Sequence, residues 1–146
     1  NRPDQKLDEI PLIELIQQIE RVVENVKPNI IYTHYHGDSN QDHRIVFDAT
    51  IVAVRPIRSY IEEIYSFYTM SATEWGKPNG FIPDTWVDIT EEIEQKILAI
   101  SQYKSEIKEY PHPRSIEAIR NVARFFGNQC LLSYAEAFIT VRRIIR

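Results

Sequence analysis

The sequence has few of the residues that mark several common protein classes. Among its 146 residues there are one cysteine, four glycines and one methionine. A single cysteine, Cys130, excludes an intrachain disulfide and indicates a reducing compartment, so we expect a cytoplasmic location. Cys130 stands in a short apolar run and is predicted to be buried rather than to act as a nucleophile. No G-x-G-x-x-G motif occurs, so a phosphate loop of the dinucleotide-binding kind is not predicted.

Long apolar runs and a strong net charge are also absent. No run approaches the length of a membrane span, and no signal-peptide pattern opens the sequence. The net charge of −4 argues against a nucleic-acid partner. An apolar fraction of 43% over 146 residues is ordinary for one globular domain, so residues 1–146 are taken as a single domain.

The apolar spacing predicts an alternation of helices and strands. The predicted elements are a helix at Pro11–Val26, a strand at 30–34, a helix along 45–53, a strand at Ile64–Tyr68, a strand at 85–89, a helix capped by Thr90, a helix capped by Ser115 and ended by Gly127, and a final strand or extended arm from 134. This order is typical of an α/β fold with a mainly parallel sheet covered on both faces.

Most of the polar chemistry lies in one stretch, THYHGDSNQDHR at residues 33–44. It holds three of the four histidines and two acids. It directly follows the predicted strand IIYTH, and ligands of such sheets bind beyond the carboxyl ends of the strands. Neutral imidazole and carboxylate groups together suit Zn²⁺ or another divalent first-row metal.

One grouping within this stretch consists of His34, His36 and Asp38, which alternate as on an extended segment. The grouping resembles the H-x-H-x-D-H signature of metallo-β-lactamase-type hydrolases. Its last position differs, because Ser39 stands where that signature has a histidine. A hydrolase of this type is therefore an alternative hypothesis.

A second grouping consists of Asp42 and His43 at the head of a predicted helix, with Asn40 as the N-cap. The positive end of the helix dipole disfavours imidazolium, so it favours the neutral, metal-binding form of His43. Asp42 beside it can accept a proton, bind substrate or orient a neighbour. In the simplest interpretation, these residues only cap the helix and the histidines lie at the surface.

Three stretches in the same order carry a family resemblance. PDQKLDEIPL (3–12), KPNIIYTHYHGDSNQDHR (27–44) and YPHPRSIEAIRNVARFFGNQCLLSYAEAF (110–138) resemble segments of the PIG-L/LmbE-like N-acetylglucosamine de-N-acetylases. The resemblance implies a Rossmann-like three-layer sandwich. It also implies a zinc-dependent hydrolase that removes the N-acetyl group from an N-acetylglucosamine-containing substrate, with or without an attached phosphate.

The resemblance also implies roles for single residues. His43 matches the zinc ligand that closes the family motif, and Asp42 matches the acid before it. Many members have a carbonyl-polarising histidine where this sequence has Asn40, so that role is expected to pass to Asn40 or to a neighbouring histidine. Residues expected at the substrate are His34, His36, Asp38, Arg44, His112 and Arg114.

The family's first motif, A-H-P-D-D-E, does not occur in this sequence. In the family it supplies a histidine ligand, an aspartate ligand and the aspartate general base. We therefore expect the chain to be the C-terminal part of such a domain, lacking its N-terminal portion. Alone it should be inactive and hold Zn²⁺ weakly, and it should associate with itself or with the missing segment. The alternative from another class is a non-catalytic Rossmann-like module that binds a sugar or nucleotide.

Overall fold

The computed structural model describes residues 4–77 and 80–146 of the chain. A short 3₁₀ turn at Leu7–Glu9 precedes the regular elements. These are α1 (Leu12–Val26), β1 (Ile30–Thr33), α2 (Gln41–Ala53), β2 (Glu63–Phe67), β3 (Thr85–Asp88), α3 (Ile93–Ser101), α4 (Ile116–Asn128) and β4 (Ala135–Arg143). Their order is the predicted one, so the α/β class is confirmed.

The chain divides into two compact units. Unit 1 holds the chain up to Ile82 together with Ile139–Arg146, and unit 2 holds Pro83–Phe138. The strands follow the order β1-β2-β4-β3, and β4 contributes residues to both units. Each unit has a buried apolar interior of its own, so each is described separately.

The sheet is mixed rather than mainly parallel. β1 and β2 are parallel, with Thr33 opposite Ser66, whereas β3 and β4 are antiparallel. The chain leaves the end of β3, passes through α3 and α4, and returns to that same end, where Ile89 N donates to Tyr134 O over 3.1 Å. β4 therefore starts where β3 stops and must run in the opposite direction.

The interior of unit 1 forms between α1, α2 and β2. Its buried side chains are Leu15, Ile16, Val23, Ala49, Ala53, Val54, Ile61 and Ile64. Two fully buried alanines on α2 let α1 approach closely, because a helix face of small residues leaves room for its neighbour. α1 ends at Lys27, which adopts a left-handed φ of 49° and donates its N–H to Val23 O.

Three predictions about residues of unit 2 are wrong. Thr90 does not cap α3, because its N–H and hydroxyl both bond to Asp88 Oδ1 and the helix begins later, at Ile93. Gly127 does not end α4 but lies within it, and a Cβ there would stand 2.6 Å from Leu132 O. Cys130 is exposed in the turn that follows. Ser115 caps α4 as predicted, accepting from Ala118 N over 3.1 Å.

None of the helices in the described part of the chain is long and apolar enough to cross a membrane.

Candidate functional site

The candidate site lies where two loops meet in unit 1. One loop, residues 34–40, follows β1, and the other, residues 68–77, follows β2. Because these strands are parallel neighbours, their carboxyl ends lie at the same edge of the sheet. We call these two segments the paired loops.

Backbone contacts hold the paired loops together. Ser39 N donates to Ala72 O over 3.0 Å, and Lys77 N donates to Gly37 O over 2.9 Å. The approach is so close that a Cβ on Gly76 would lie 2.1 Å from Gly37 O. Glycine is therefore required at position 76, since no side chain fits between the two backbones.

The centre of the paired loops is the carboxylate of Asp38, which has no solvent exposure. Thr73 Oγ1 donates to Asp38 Oδ1 over 2.5 Å, and His43 Nδ1 lies 2.7 Å from Asp38 Oδ2. A carboxylate accepts hydrogen bonds, so this contact places a proton on Nδ1 of His43. In the neutral ring, Nε2 then carries the lone pair that a metal ion would use.

Asn40 caps α2 as predicted. Its side-chain oxygen accepts from Asp42 N over 2.8 Å and from His43 N over 3.4 Å. His43 therefore lies in the first turn of α2. The cap uses the oxygen of the Asn40 amide and leaves its NH₂ group for another acceptor.

Asp42 and Arg44 make structural contacts on either side of His43. Asp42 Oδ1 accepts from Leu7 N over 3.1 Å, which ties the N-terminal 3₁₀ turn to the head of α2. Arg44 donates to the carbonyl oxygens of Asp38 and Ser39 over 2.6 and 2.7 Å. Both side chains thus stabilise the loop around the site.

His34 stacks directly on His43, with ring centroids 4.2 Å apart, and also contacts Phe67. Its Nδ1 is buried and has no hydrogen-bond partner within residues 4–77 and 80–146. Burial, and then the nearby His43, lower the pKa of His34 to about 4, against the opposite influence of Asp38. His34 is therefore a neutral ring with an unused polar atom beside His43.

His36 points to a different environment, although it is only two residues away. It is exposed, and its ring contacts Tyr35 and Phe47, with centroids 4.6 and 5.5 Å apart. The alternating grouping of His34, His36 and Asp38 therefore does not gather into one cluster. Among the described residues, no three His, Cys, Asp or Glu side chains are arranged to hold a metal ion.

His112 and Arg114 lie in unit 2, before α4. His112 Nδ1 accepts from Arg114 N over 3.0 Å, and the Arg114 guanidinium pairs with Glu106. These contacts engage both residues locally. Unit 2 offers no buried carboxylate behind His112 comparable to Asp38 behind His43 within its described residues.

Sequence reasoning missed Thr73 and Tyr68 in the second of the paired loops. Thr73 is buried against Asp38, 35 positions away, and no local pattern marks such a contact. Burial raises the pKa of Tyr68, so this residue is a neutral phenol. Only the parallel pairing of β1 and β2 brings these residues to the site.

The residues present fit one protein ligand of a metal site. His43 has a ring nitrogen fixed by a buried carboxylate, the arrangement in which protein histidines commonly bind metals. The buried, unpartnered nitrogen of His34 adds a second polar atom nearby, as far as the described residues extend. A zinc site uses three or four protein ligands, so further ligands would have to join His43.

Comparison with known protein families gives a match in the first part of the chain. The sequence model of the family described as PIG-L, GlcNAc-PI de-N-acetylase, matches residues 1–54. This segment contains β1, the first of the paired loops and the head of α2.

Two solved structures share the fold. The conserved protein TT1542 from Thermus thermophilus is 20% identical with a TM-score of 0.75, and the match covers the whole chain and 66% of that protein. The N,N'-diacetylchitobiose deacetylase from Pyrococcus horikoshii, complexed with its inhibitor MPG, is 22% identical with a TM-score of 0.71. That match covers 97% of this chain and 55% of the deacetylase. The family model thus matches the first 54 residues of the chain, and the two solved structures share its fold.

Proposed function

We propose that this chain acts in a zinc-dependent hydrolase that removes the N-acetyl group from an N-acetylglucosamine-containing substrate. The products are acetate and a free amine. The observation that carries the proposal is His43, whose Nδ1 is bound by the buried Asp38 at the carboxyl end of β1. The match of residues 1–54 to a de-N-acetylase family supports the same chemistry.

His43 would hold the metal through Nε2, together with ligands that other residues supply. When bound, Zn²⁺ would activate a water molecule and polarise the amide carbonyl. The NH₂ group of Asn40 would donate to the developing oxyanion, because its oxygen is already engaged in the cap. Asp42 would accept or relay a proton at the head of α2.

The remaining site residues would contact the substrate or support the residues that do. His34 presents a neutral ring beside His43, and His36 presents an exposed ring, so both suit contacts to sugar hydroxyls. Asp38 and Arg44 would shape the pocket through the contacts described above. His112 and Arg114 would bind the sugar or an attached phosphate, for which guanidinium is well suited.

The test is an acetate-release assay on the full-length gene product. N-acetylglucosamine conjugates on a lipid, a nucleotide, a glycan and a small thiol would be offered in parallel. We expect a chelator to stop hydrolysis of one or more of them and Zn²⁺ to restore it. Binding without any acetate release, with or without Zn²⁺, would contradict the proposal and favour a non-catalytic sugar-binding module.

We also propose a cytoplasmic location. A separate proposal is that the chain associates with another chain or segment through the edge of the sheet at β1. β1 is an edge strand in the described sheet, and its residues Ile30 and Tyr32 are exposed. An apolar, unpaired strand edge favours pairing with another chain or segment. The isolated 146-residue chain should therefore associate in light scattering, bind Zn²⁺ weakly and release no acetate. A clean monomer with cooperative thermal unfolding would contradict the association.

A further inference from the structure

We propose that Asp38 and Thr73 are positioning residues that select the tautomer of His43 and so determine its affinity for the metal. The inference rests on the proposed role of His43 as a ligand. Neither residue touches the reacting atoms, because both are buried behind the imidazole.

The carboxylate of Asp38 is held from both sides. Its side chain has no solvent exposure, and an uncompensated carboxylate in such a place is unfavourable. Thr73 engages one oxygen and His43 engages the other. The backbone of Asp38 is fixed as well, since Arg44 donates to its carbonyl oxygen over 2.6 Å.

Thr73 in turn has a defined hydrogen-bond direction. Its hydroxyl oxygen accepts from Thr69 N over 2.8 Å and donates its proton to Asp38 Oδ1. The chain of donors therefore runs from Thr69 N to Thr73, and from Thr73 to Asp38. The second oxygen of Asp38 is left to accept from Nδ1 of His43, which directs the lone pair to Nε2.

This direction makes an unusual prediction for Asp38→Asn. Because Thr73 already accepts from Thr69 N, we expect its hydroxyl to keep donating to residue 38, so the amide oxygen of the new side chain should occupy the position of Oδ1. Its NH₂ group then faces Nδ1 of His43, and this nitrogen must become an acceptor. The ring proton moves to Nε2, the atom needed by the metal. The isosteric change should therefore weaken zinc binding by about 10- to 100-fold.

Removing the Thr73 hydroxyl should relax this constraint. In Thr73→Val alone, Asp38 still accepts from His43, so zinc affinity should fall less than about tenfold. In Asp38→Asn combined with Thr73→Val, the amide can turn its oxygen toward His43. The double variant should therefore bind zinc more tightly than Asp38→Asn alone. Thr73→Ser keeps the hydroxyl and should match the wild type.

Thr69→Val is the matched control in the same loop. The Thr69 hydroxyl is buried without a hydrogen-bond partner among the described residues, and its backbone N–H remains in the variant. This substitution removes a hydroxyl from the loop without touching the donor chain. It should leave both the tautomer and the zinc affinity unchanged.

The experiment uses the full-length gene product and two measurements. ¹⁵N NMR of the metal-free protein reports which ring nitrogen of His43 carries the proton, and competition with a chromophoric chelator reports zinc affinity. We expect a proton on Nδ1 in the wild type and its transfer to Nε2 in Asp38→Asn. An unprotonated Nδ1 in the wild type, or unchanged zinc affinity in Asp38→Asn, would overturn the inference.

The two proposals fail in different ways. If wild-type His43 shows the expected tautomer and Asp38→Asn alters it, while zinc neither binds nor supports acetate release, then the proposed function is wrong and the orienting contact is supported. If zinc binds through His43 equally well in Asp38→Asn, then the positioning role is wrong and the function stands.

Discussion

Two helix starts in this chain look alike in sequence and differ in what surrounds them. α2 begins after Asn40 and α4 begins after Ser115, and each has a histidine and an arginine close to its cap. At α4, His112 bonds to a backbone N–H only two residues away. At α2, His43 bonds to a buried carboxylate that is itself held by Thr73 from another loop. At α2, the buried carboxylate and its partner from another loop orient the ring of His43.

Replacing the histidine near the start of α2 or of α4 should give the largest difference, and the difference is in zinc binding. His43→Ala in the full-length gene product should abolish zinc binding and acetate release, because it removes the ligand. His112→Ala should keep zinc bound and weaken only substrate binding, and it should cost about 1 kcal/mol of stability because it removes a local hydrogen bond. Chelator competition measures zinc binding in both variants, and the acetate assay measures their hydrolysis. Full activity with zinc bound in His43→Ala would show that the site was assigned wrongly.

Replacing the two caps should separate stability from turnover. Asn40→Ala and Ser115→Ala should each cost about 1 kcal/mol in the free energy of unfolding, because each loses a capping acceptor. Only Asn40→Ala should also lower turnover, by about 10²-fold with zinc retained, if the amide donates to the oxyanion. Urea unfolding and the acetate assay measure the two effects.

Asn40→Asp is the control for this prediction. It keeps the capping oxygen and removes the NH₂ donor, so stability should persist while turnover falls. Wild-type turnover in Asn40→Asp would rule out the amide as an oxyanion donor.

Gly76 in unit 1 and Gly127 in unit 2 allow a similar comparison, because each lies against a neighbouring backbone. A Cβ on Gly76 would collide with Gly37 O, and a Cβ on Gly127 would collide with Leu132 O. Each Gly→Ala change should cost about 1–3 kcal/mol, measured by urea unfolding. Gly76→Ala should also weaken zinc binding, because it moves the paired loops apart, whereas Gly127→Ala should not. Equal zinc affinities in the two variants would contradict the role of the paired loops.

The last expected effect, on stability alone, concerns His34 in the metal-free protein. Its pKa is lowered from 6.5 to about 4, so between these values the unfolded chain binds a proton that the folded chain does not. The contribution of the neutral His34 ring to the free energy of unfolding is therefore fully present above pH 6.5 and is lost as the pH falls toward 4. After allowance for partial exposure, the loss should be about 1–2 kcal/mol. Urea unfolding with a chelator at both pH values measures it.

His34→Gln provides the control, because it removes the titrating ring. The part of the acid destabilisation that belongs to His34 should disappear in this variant. An identical pH dependence in both proteins would assign the effect to other groups.

Local patterns predicted the helices well and their ends less well. Asn40 and Ser115 cap their helices as expected, because capping depends on atoms within three residues. Thr90 has the right residue type but is engaged by Asp88, a competing acceptor two residues earlier. Gly127 resembles a helix stop, yet the close approach of the Leu132 backbone is what requires glycine there. These differences arise from contacts that periodicity does not report.

The sequence alone determined the α/β class, the order of the elements and the place of the polar stretch after the first strand, because these depend on local periodicity and caps. Only the tertiary structure decided that the sheet is mixed, since the return of the chain to one end of β3 sets the direction of β4. It also decided which polar residues meet. Thr73 reaches Asp38 only because β1 and β2 are parallel neighbours, and that pairing joins segments more than thirty residues apart.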